Sequence, residues 1–146
     1  SCYNYMFQRC TSLTTAPALP ATTLSSSCYR YMFSGCTALT TAPELPATTL
    51  ADNCYRNMFQ RCTSLTSAPE LPATTLADRC YNYMFQNCTA LKHVRTLQTS
   101  FDGCENWLSG VSETGTFECL PSLGTEETIE RGISACPEGW TVINKD

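Results

Sequence analysis

The sequence predicts an α/β solenoid, with short strands along one side, short helices along the other and a β cap at the C-terminal end. Two observations carry this expectation. One segment recurs almost letter for letter, with its first cysteines at Cys2, Cys28, Cys54 and Cys80, so the period is 26 residues. A fixed period in that range marks a stack of units, each of which can bury its apolar side only against the next. Each copy also divides into two arms of different composition, which predicts a different conformation for each.

In the first arm, Asp52-Asn53-Cys54-Tyr55-Arg56-Asn57-Met58-Phe59-Gln60-Arg61-Cys62, the apolar residues Cys54, Tyr55, Met58, Phe59 and Cys62 follow the i, i+1, i+4, i+5, i+8 spacing of one helical face. This spacing predicts a short helix, with Asp52 or Asn53 as its N-cap and Ser26, Ser27 and Asp78 in the matching places. The second arm, Leu65-Thr66-Ser67-Ala68-Pro69-Glu70-Leu71, is rich in Thr and carries a proline, which removes a ladder donor, so a short strand ending near the proline is expected. Pro72-Ala73-Thr74-Thr75-Leu76 returns the chain to the next copy.

Where the copies agree, a core is expected. Met32, Phe33 and Cys36 recur as Met58, Phe59 and Cys62 and as Met84, Phe85 and Cys88, as stacked core layers require. Where they differ, solvent is expected: the position held by Tyr5, Tyr31, Asn57 and Tyr83, and the pairs Gln8-Arg9, Ser34-Gly35, Gln60-Arg61 and Gln86-Asn87.

The repeat breaks after Leu91. Residues 1–97 are assigned to the repeats and residues 98–146 to a shortened last unit and cap. Phe101-Asp102-Gly103-Cys104 repeats the Phe-x-x-Cys signature early, and Glu105 to Val111 extends a last helix with Gly110 as a C-cap. Gly115 to Cys119 and Gly139 to Ile143 alternate as strands do and are expected to pair or to extend the sheet edge. The polar run between them reads as a surface loop, with Cys119 and Cys136 flanking it as the pair best placed for a disulfide. Ser1-Cys2 enters in the middle of a repeat, which predicts further repeats or a cap upstream.

Composition bounds the chemistry. The net charge of −4 hides an asymmetry: residues 1–100 carry seven Lys or Arg against four acids, and residues 101–146 carry two against nine. Neither half has the dense basic face of a nucleic-acid binder. No run approaches the length of a membrane span. Eleven cysteines make the chain cysteine-rich. On a helix, Cys54 and Cys62 would lie roughly 12 Å apart, beyond the ~7 Å Cα limit for a disulfide, so stacked buried thiols are the expectation for Cys2 through Cys88. Structural zinc sites use cysteines two to four residues apart, and no such pair occurs, so neither a metal site nor a cofactor is expected. His93 is the single histidine, with no orienting group evident beside it, and no catalytic residue is assigned.

The unit Met-Phe-x-x-Cys-Thr-x-Leu, followed by a short strand and Leu-Pro-x-x-x-Leu, resembles the BspA-type leucine-rich repeats of bacterial surface proteins, over residues 1 to about 97. Met stands where that family usually has Ala, and a second Cys begins each helical arm. The end segment, Asn-Trp-Leu-x-Gly-Val, then Gly-Thr-Phe, then Pro-x-Gly-Trp-Thr-Val, looks like the one that follows such arrays in Bacteroides-type surface proteins. The resemblance implies a leucine-rich-repeat solenoid, export to the bacterial surface or the extracellular space, and adhesion to a host or microbial protein or glycan, without enzymatic activity. A rigid or receptor-binding part of a phage tail fibre or other filament is the alternative.

Surface recognition would then fall to outward side chains. One candidate row is Thr14, Thr40, Thr66 and Lys92, ending in His93 and Arg95, although stacked hydroxyls bonding to one another along a ladder account for it equally well. The other is Tyr5, Tyr31 and Tyr83 with Arg30 and Arg56, residue types enriched in binding patches.

Overall fold

A computed structural model describes residues 3–145. Successive copies of the repeat lie directly on one another as parallel coils. The expected helical side is overturned: among the described residues there is no helix, and the regular strands are three, β1 (His93–Arg95), β2 (Gly115–Cys119) and β3 (Trp140–Asn144). The α/β solenoid with helices along one side is therefore incorrect.

The physical reason lies in where the backbone donors point. A helix would return every N–H to the carbonyl four residues back. Here alternate N–H groups close tight turns onto the carbonyl three residues back: Met32 onto Tyr29 at 3.1 Å, Ser34 onto Tyr31 at 3.1 Å, Cys36 onto Phe33 at 3.0 Å. The N–H groups between them leave the arm and donate to the next coil: Tyr31 to Arg56 O at 3.0 Å, Phe33 to Met58 O at 2.9 Å, Gly35 to Gln60 O at 2.7 Å. The same two sets recur one coil later, with Asn57 donating to Asn82 O, Phe59 to Met84 O and Arg61 to Gln86 O. Such a ribbon of turns needs a left-handed residue at every fourth position. These are Ser27, Tyr31 and Gly35, then Asn53, Asn57 and Arg61, then Arg79, Tyr83 and Asn87. A helix of this length is marginal alone. Sharing half of its donors with a neighbour makes the arm regular only within the stack.

The expected caps consequently serve the neighbouring coil. Ser26 Oγ donates to Asp52 O, and Asp52 Oδ1 accepts from the N–H of Asp78. Gly110, expected as a helix C-cap, is instead a left-handed turn position packed against Asn87.

The second arm forms strand-like contacts only at single points, Thr15 with Thr41, Thr23 with Thr49, Ser67 with His93 and Leu71 with Thr96, all parallel. Proline and its flanking residues interrupt anything longer. Regular pairing begins at β1. β2 and β3 add to it in the order β1-β2-β3, all parallel, with Val94, Phe117 and Val142 in one inward register.

The core is a set of columns running through the stack. Phe7, Phe33, Phe59 and Phe85 stack in succession with nearly parallel rings, their centroids 5.5, 5.7 and 5.5 Å apart. Tyr3, Tyr29, Tyr55, Tyr81 and Trp107 form a second column at 5.9, 6.1, 6.0 and 5.9 Å. Offset stacks of this kind contribute about 1 kcal/mol each beyond area burial. Met32, Phe33, Cys36, Met58, Phe59, Cys62, Met84, Phe85 and Cys88 are all buried.

The segment between β2 and β3 is only partly a surface loop, since Gly124 and Ile129 are buried. Arg131 fastens it: its guanidinium donates to Pro137 O at 3.1 Å, Trp140 O at 2.6 Å and Glu126 Oε1 at 2.7 Å. Trp107 Nε1 donates to Ala135 O at 2.9 Å, and Trp140 Nε1 to Ser112 O at 2.8 Å.

The turn ribbon makes a prediction that a helix reverses. Arg61 is exposed and left-handed, and Gly35 occupies the same place one coil earlier. Arg61→Gly is expected to stabilise by about 1 kcal/mol and Gly35→Val to destabilise by about 2 kcal/mol, because the left-handed region costs an L side chain roughly 1–2 kcal/mol. Urea denaturation of both variants checks it; a helix would lose stability with the glycine.

Candidate functional site

The residues singled out from the sequence fall on two separate faces. Thr14, Thr40, Thr66 and Lys92 form an exposed row. They are joined through the backbone, Thr40 N–H to Thr14 O and Lys92 N–H to Thr66 O, each at 3.0 Å. The Thr40 hydroxyl donates to Thr14 O as well. At the end of this row the two basic residues are engaged. His93 Nε2 lies 3.1 Å from Glu118 Oε2, and Arg95 Nε lies 3.8 Å from Glu70. Glu118 also meets Lys145 Nζ at 3.0 Å. The hydrogen bond and charge of Lys145, aided by His93, hold the Glu118 carboxyl below its usual range against the opposing effect of burial.

On the turn-ribbon face, Tyr5 and Tyr31 stack with centroids 4.9 Å apart and rings 9° from parallel. The Arg30 guanidinium sits 5.2 Å from the Tyr31 centroid, and that of Arg56 sits 5.8 Å from Tyr83. Asn57 interrupts the tyrosine column. It was expected in solvent, yet it is 4% exposed and its Oδ1 is buried without a partner. Ser34 is buried too, at another of the positions expected to be solvated. The column position points along the stack, so what it meets depends on the neighbouring coils and not on its own polarity. Tyr83 is thereby separated from the Tyr5–Tyr31 pair, and Arg56 bridges the interval while donating to Asn53 Oδ1.

A third feature lies on the proline segments of two successive coils. Pro43, Pro46, Pro69 and Pro72 line an open groove of 430 Å³ flanked by Glu44 and Glu70. The signal is present in the sequence as Ala-Pro-Glu-Leu-Pro, repeated with both glutamates in phase; in the fold the prolines break the strands and also form the walls of this groove.

The ten described cysteines are free thiols. Cys2 lies outside the described residues. The second cysteine of each coil has a defined partner: the thiols of Cys36, Cys62 and Cys88 donate to the carbonyls of Phe7, Phe33 and Phe59 at 3.1, 3.2 and 2.9 Å. Burial pushes Cys54, Cys80 and Cys88 up to about 12 and Cys62 higher still. Cys10, expected to be buried, is exposed because the first coil is covered on one side only. Cys119 and Cys136, expected to be bridged, are separate buried thiols: Cys119 Sγ faces Gly124 O, and Cys136 Sγ accepts from Arg131. No group of three or more His, Cys, Asp or Glu among the described residues is arranged to hold a metal ion. No described helix is long and apolar enough to cross a membrane.

Comparison with known proteins finds no matching family, no matching curated protein and no matching solved structure.

Two measurements test this geometry. Brief iodoacetamide treatment of the native chain, followed by mass spectrometry, is expected to label Cys10 about 100-fold or more faster than Cys54, Cys62 or Cys88. A lowered carboxyl pKa contributes stability that is present above the unfolded value of 4.5 and is lost as pH falls through the folded value. The stability difference between the parent and Glu118→Gln, followed by thermal denaturation, should therefore be widest near pH 7 and narrow as the pH falls below 4.5 through the lowered value of the folded protein.

Proposed function

We propose that this chain is a non-enzymatic recognition module, exported to a bacterial surface, that binds a protein or glycan through the outer face of its coils. The observation that carries the reading is the stacked Tyr5–Tyr31 pair with Arg30 over one ring. Aromatic rings and guanidinium groups provide large contact area and hydrogen-bond donors at low conformational cost, which is why they dominate binding patches. Here both are carried on a hydrogen-bonded ribbon, so little order would remain to be gained on binding. Buried thiols held protonated are poor nucleophiles, which favours binding over covalent catalysis. The likeness of the repeat sequence to BspA-type repeats supports a surface location and an adhesive role.

The test is an array of printed oligosaccharides and extracellular-matrix proteins, probed with the fluorescently labelled chain. The reading expects a ligand whose affinity falls about tenfold with Tyr5→Ser or Arg30→Gln, the scale of one interface anchor, and is unchanged by Thr40→Ala. Binding to no spot at high protein concentration, or loss with Thr40→Ala alone, overturns it.

A further inference from the structure

The tyrosine column on the turn-ribbon face lacks one ring. Tyr5, Tyr31 and Tyr83 hold the same place in their coils, and Asn57 holds it in the third. All four are left-handed, so the backbone does not distinguish them. Tyr5 and Tyr31 stack at 4.9 Å, one ring to each coil. Tyr31 and Tyr83 stand two coils apart, about 10 Å at the spacing of a parallel sheet, which leaves room for one further ring about 5 Å from each.

The interval is polar at its floor. Asn57 is 4% exposed, and its Oδ1 has no hydrogen-bond partner among the described residues. The Nε atoms of Arg30 and Arg56 are buried without partners as well. Their guanidinium groups lie over the two rings that wall the interval, 5.2 Å from Tyr31 and 5.8 Å from Tyr83. Buried polar atoms are nearly always paired in a folded protein, so one acceptor and two donors left open around one interval mark the place of a missing partner. Arg56 covers this place and is held there by a 3.3 Å hydrogen bond to Asn53 Oδ1, a cover that opens by a change of rotamer.

The three open atoms select what fits. An aromatic hydrocarbon would stack between the tyrosines but leave all three atoms desolvated and unpaired. A carboxylate accepts from arginine and has nothing to donate to Asn57 Oδ1. A hydroxyl both donates and accepts, and a pyranose ring carries several at its rim while its C–H faces lie against aromatic rings.

We propose that the interval between Tyr31 and Tyr83 is a glycan subsite for one neutral pyranose ring. Arg30 and Arg56 donate to its hydroxyl oxygens, and one hydroxyl donates to Asn57 Oδ1. The inference rests on the reading of this face as a recognition surface and narrows its ligand from a protein or glycan to a glycan.

Asn57→Tyr fills the interval with the ring that the other coils carry and removes the unpaired oxygen, so it separates binding from folding. On an array of printed neutral oligosaccharides and extracellular-matrix proteins, the labelled parent is expected to bind neutral oligosaccharides. Asn57→Tyr is expected to bind them about tenfold or more weakly, the scale of one interface anchor, with an unchanged or higher thermal midpoint. Arg56→Asn, which places there the residue of the first and fourth copies, is expected to weaken binding to the same degree and replaces Asn57→Tyr if that variant does not fold. Undiminished oligosaccharide binding by Asn57→Tyr, or binding of the parent to matrix proteins alone, overturns the subsite; the recognition role stands if that binding still falls with Tyr5→Ser. Binding to no spot overturns both.

Discussion

Everything in this molecule depends on the alternate backbone N–H groups that leave one coil to meet the carbonyls of the next. They fix the distance between coils at the spacing of a parallel sheet, about 4.8 Å. Two packed helices would stand 8–10 Å apart. A coil with a helical arm and a strand arm would thus have two different rises on its two sides. The turn ribbon removes that conflict by giving both arms the same rise. Identical residues are then brought face to face, and the aromatic columns follow: once Tyr29 lies over Tyr55, any change of residue size in one coil is felt by both neighbours. Near-identity of the copies is a packing requirement of this geometry.

Cysteine suits the two inner positions for related reasons. At Cys36, Cys62 and Cys88 the thiol reaches a phenylalanine carbonyl in the preceding coil. In all three cases that carbonyl already accepts an N–H from its own coil, from Cys10, Cys36 and Cys62 respectively. A weak, soft donor can share such an acceptor; an apolar residue would leave the second lone pair unmatched. Desolvation raises all three thiols, Cys88 to about 12, and keeps them protonated and unreactive. High cysteine content here reflects size and polarisability.

The period, the inward residues and the stacking were legible because each follows from exact repetition. The turn ribbon was not, and the reason is arithmetical. Cys54, Tyr55, Met58, Phe59 and Cys62 step by four, and over two steps a period of 4 differs from 3.6 by less than one residue. The residues that separate the two cases are Gly35, Asn53, Asn57 and Asn87, which tolerate positive φ, but the other left-handed places hold Ser27, Tyr31, Arg61, Arg79 and Tyr83, which give no such signal. The partners of His93 and Arg95 were illegible for another reason. Glu118 and Lys145 belong to the cap, and only the register of β2 and β3 upon β1 brings them to the last repeat.

The same periodicity governs what kind of recognition the outer face can support. Thr14, Thr40 and Thr66, and the tyrosines on the ribbon, present one chemistry again and again at the coil spacing. The grooves between the proline arms are open and shallow, with 430 Å³ in one and 210 Å³ in the next. Such a surface offers no enclosed pocket to grip a small molecule on all sides, as most small ligands require. It offers many weak, evenly spaced contacts, which gain by multivalency when the ligand is itself extended or repetitive. On the proposed binding face, selectivity would then come from the places where the copies differ: Arg30 and Arg56 stand where the outer copies carry Asn4 and Asn82, and the buried Asn57 interrupts the tyrosine column, so an extended ligand would meet a distinct register there.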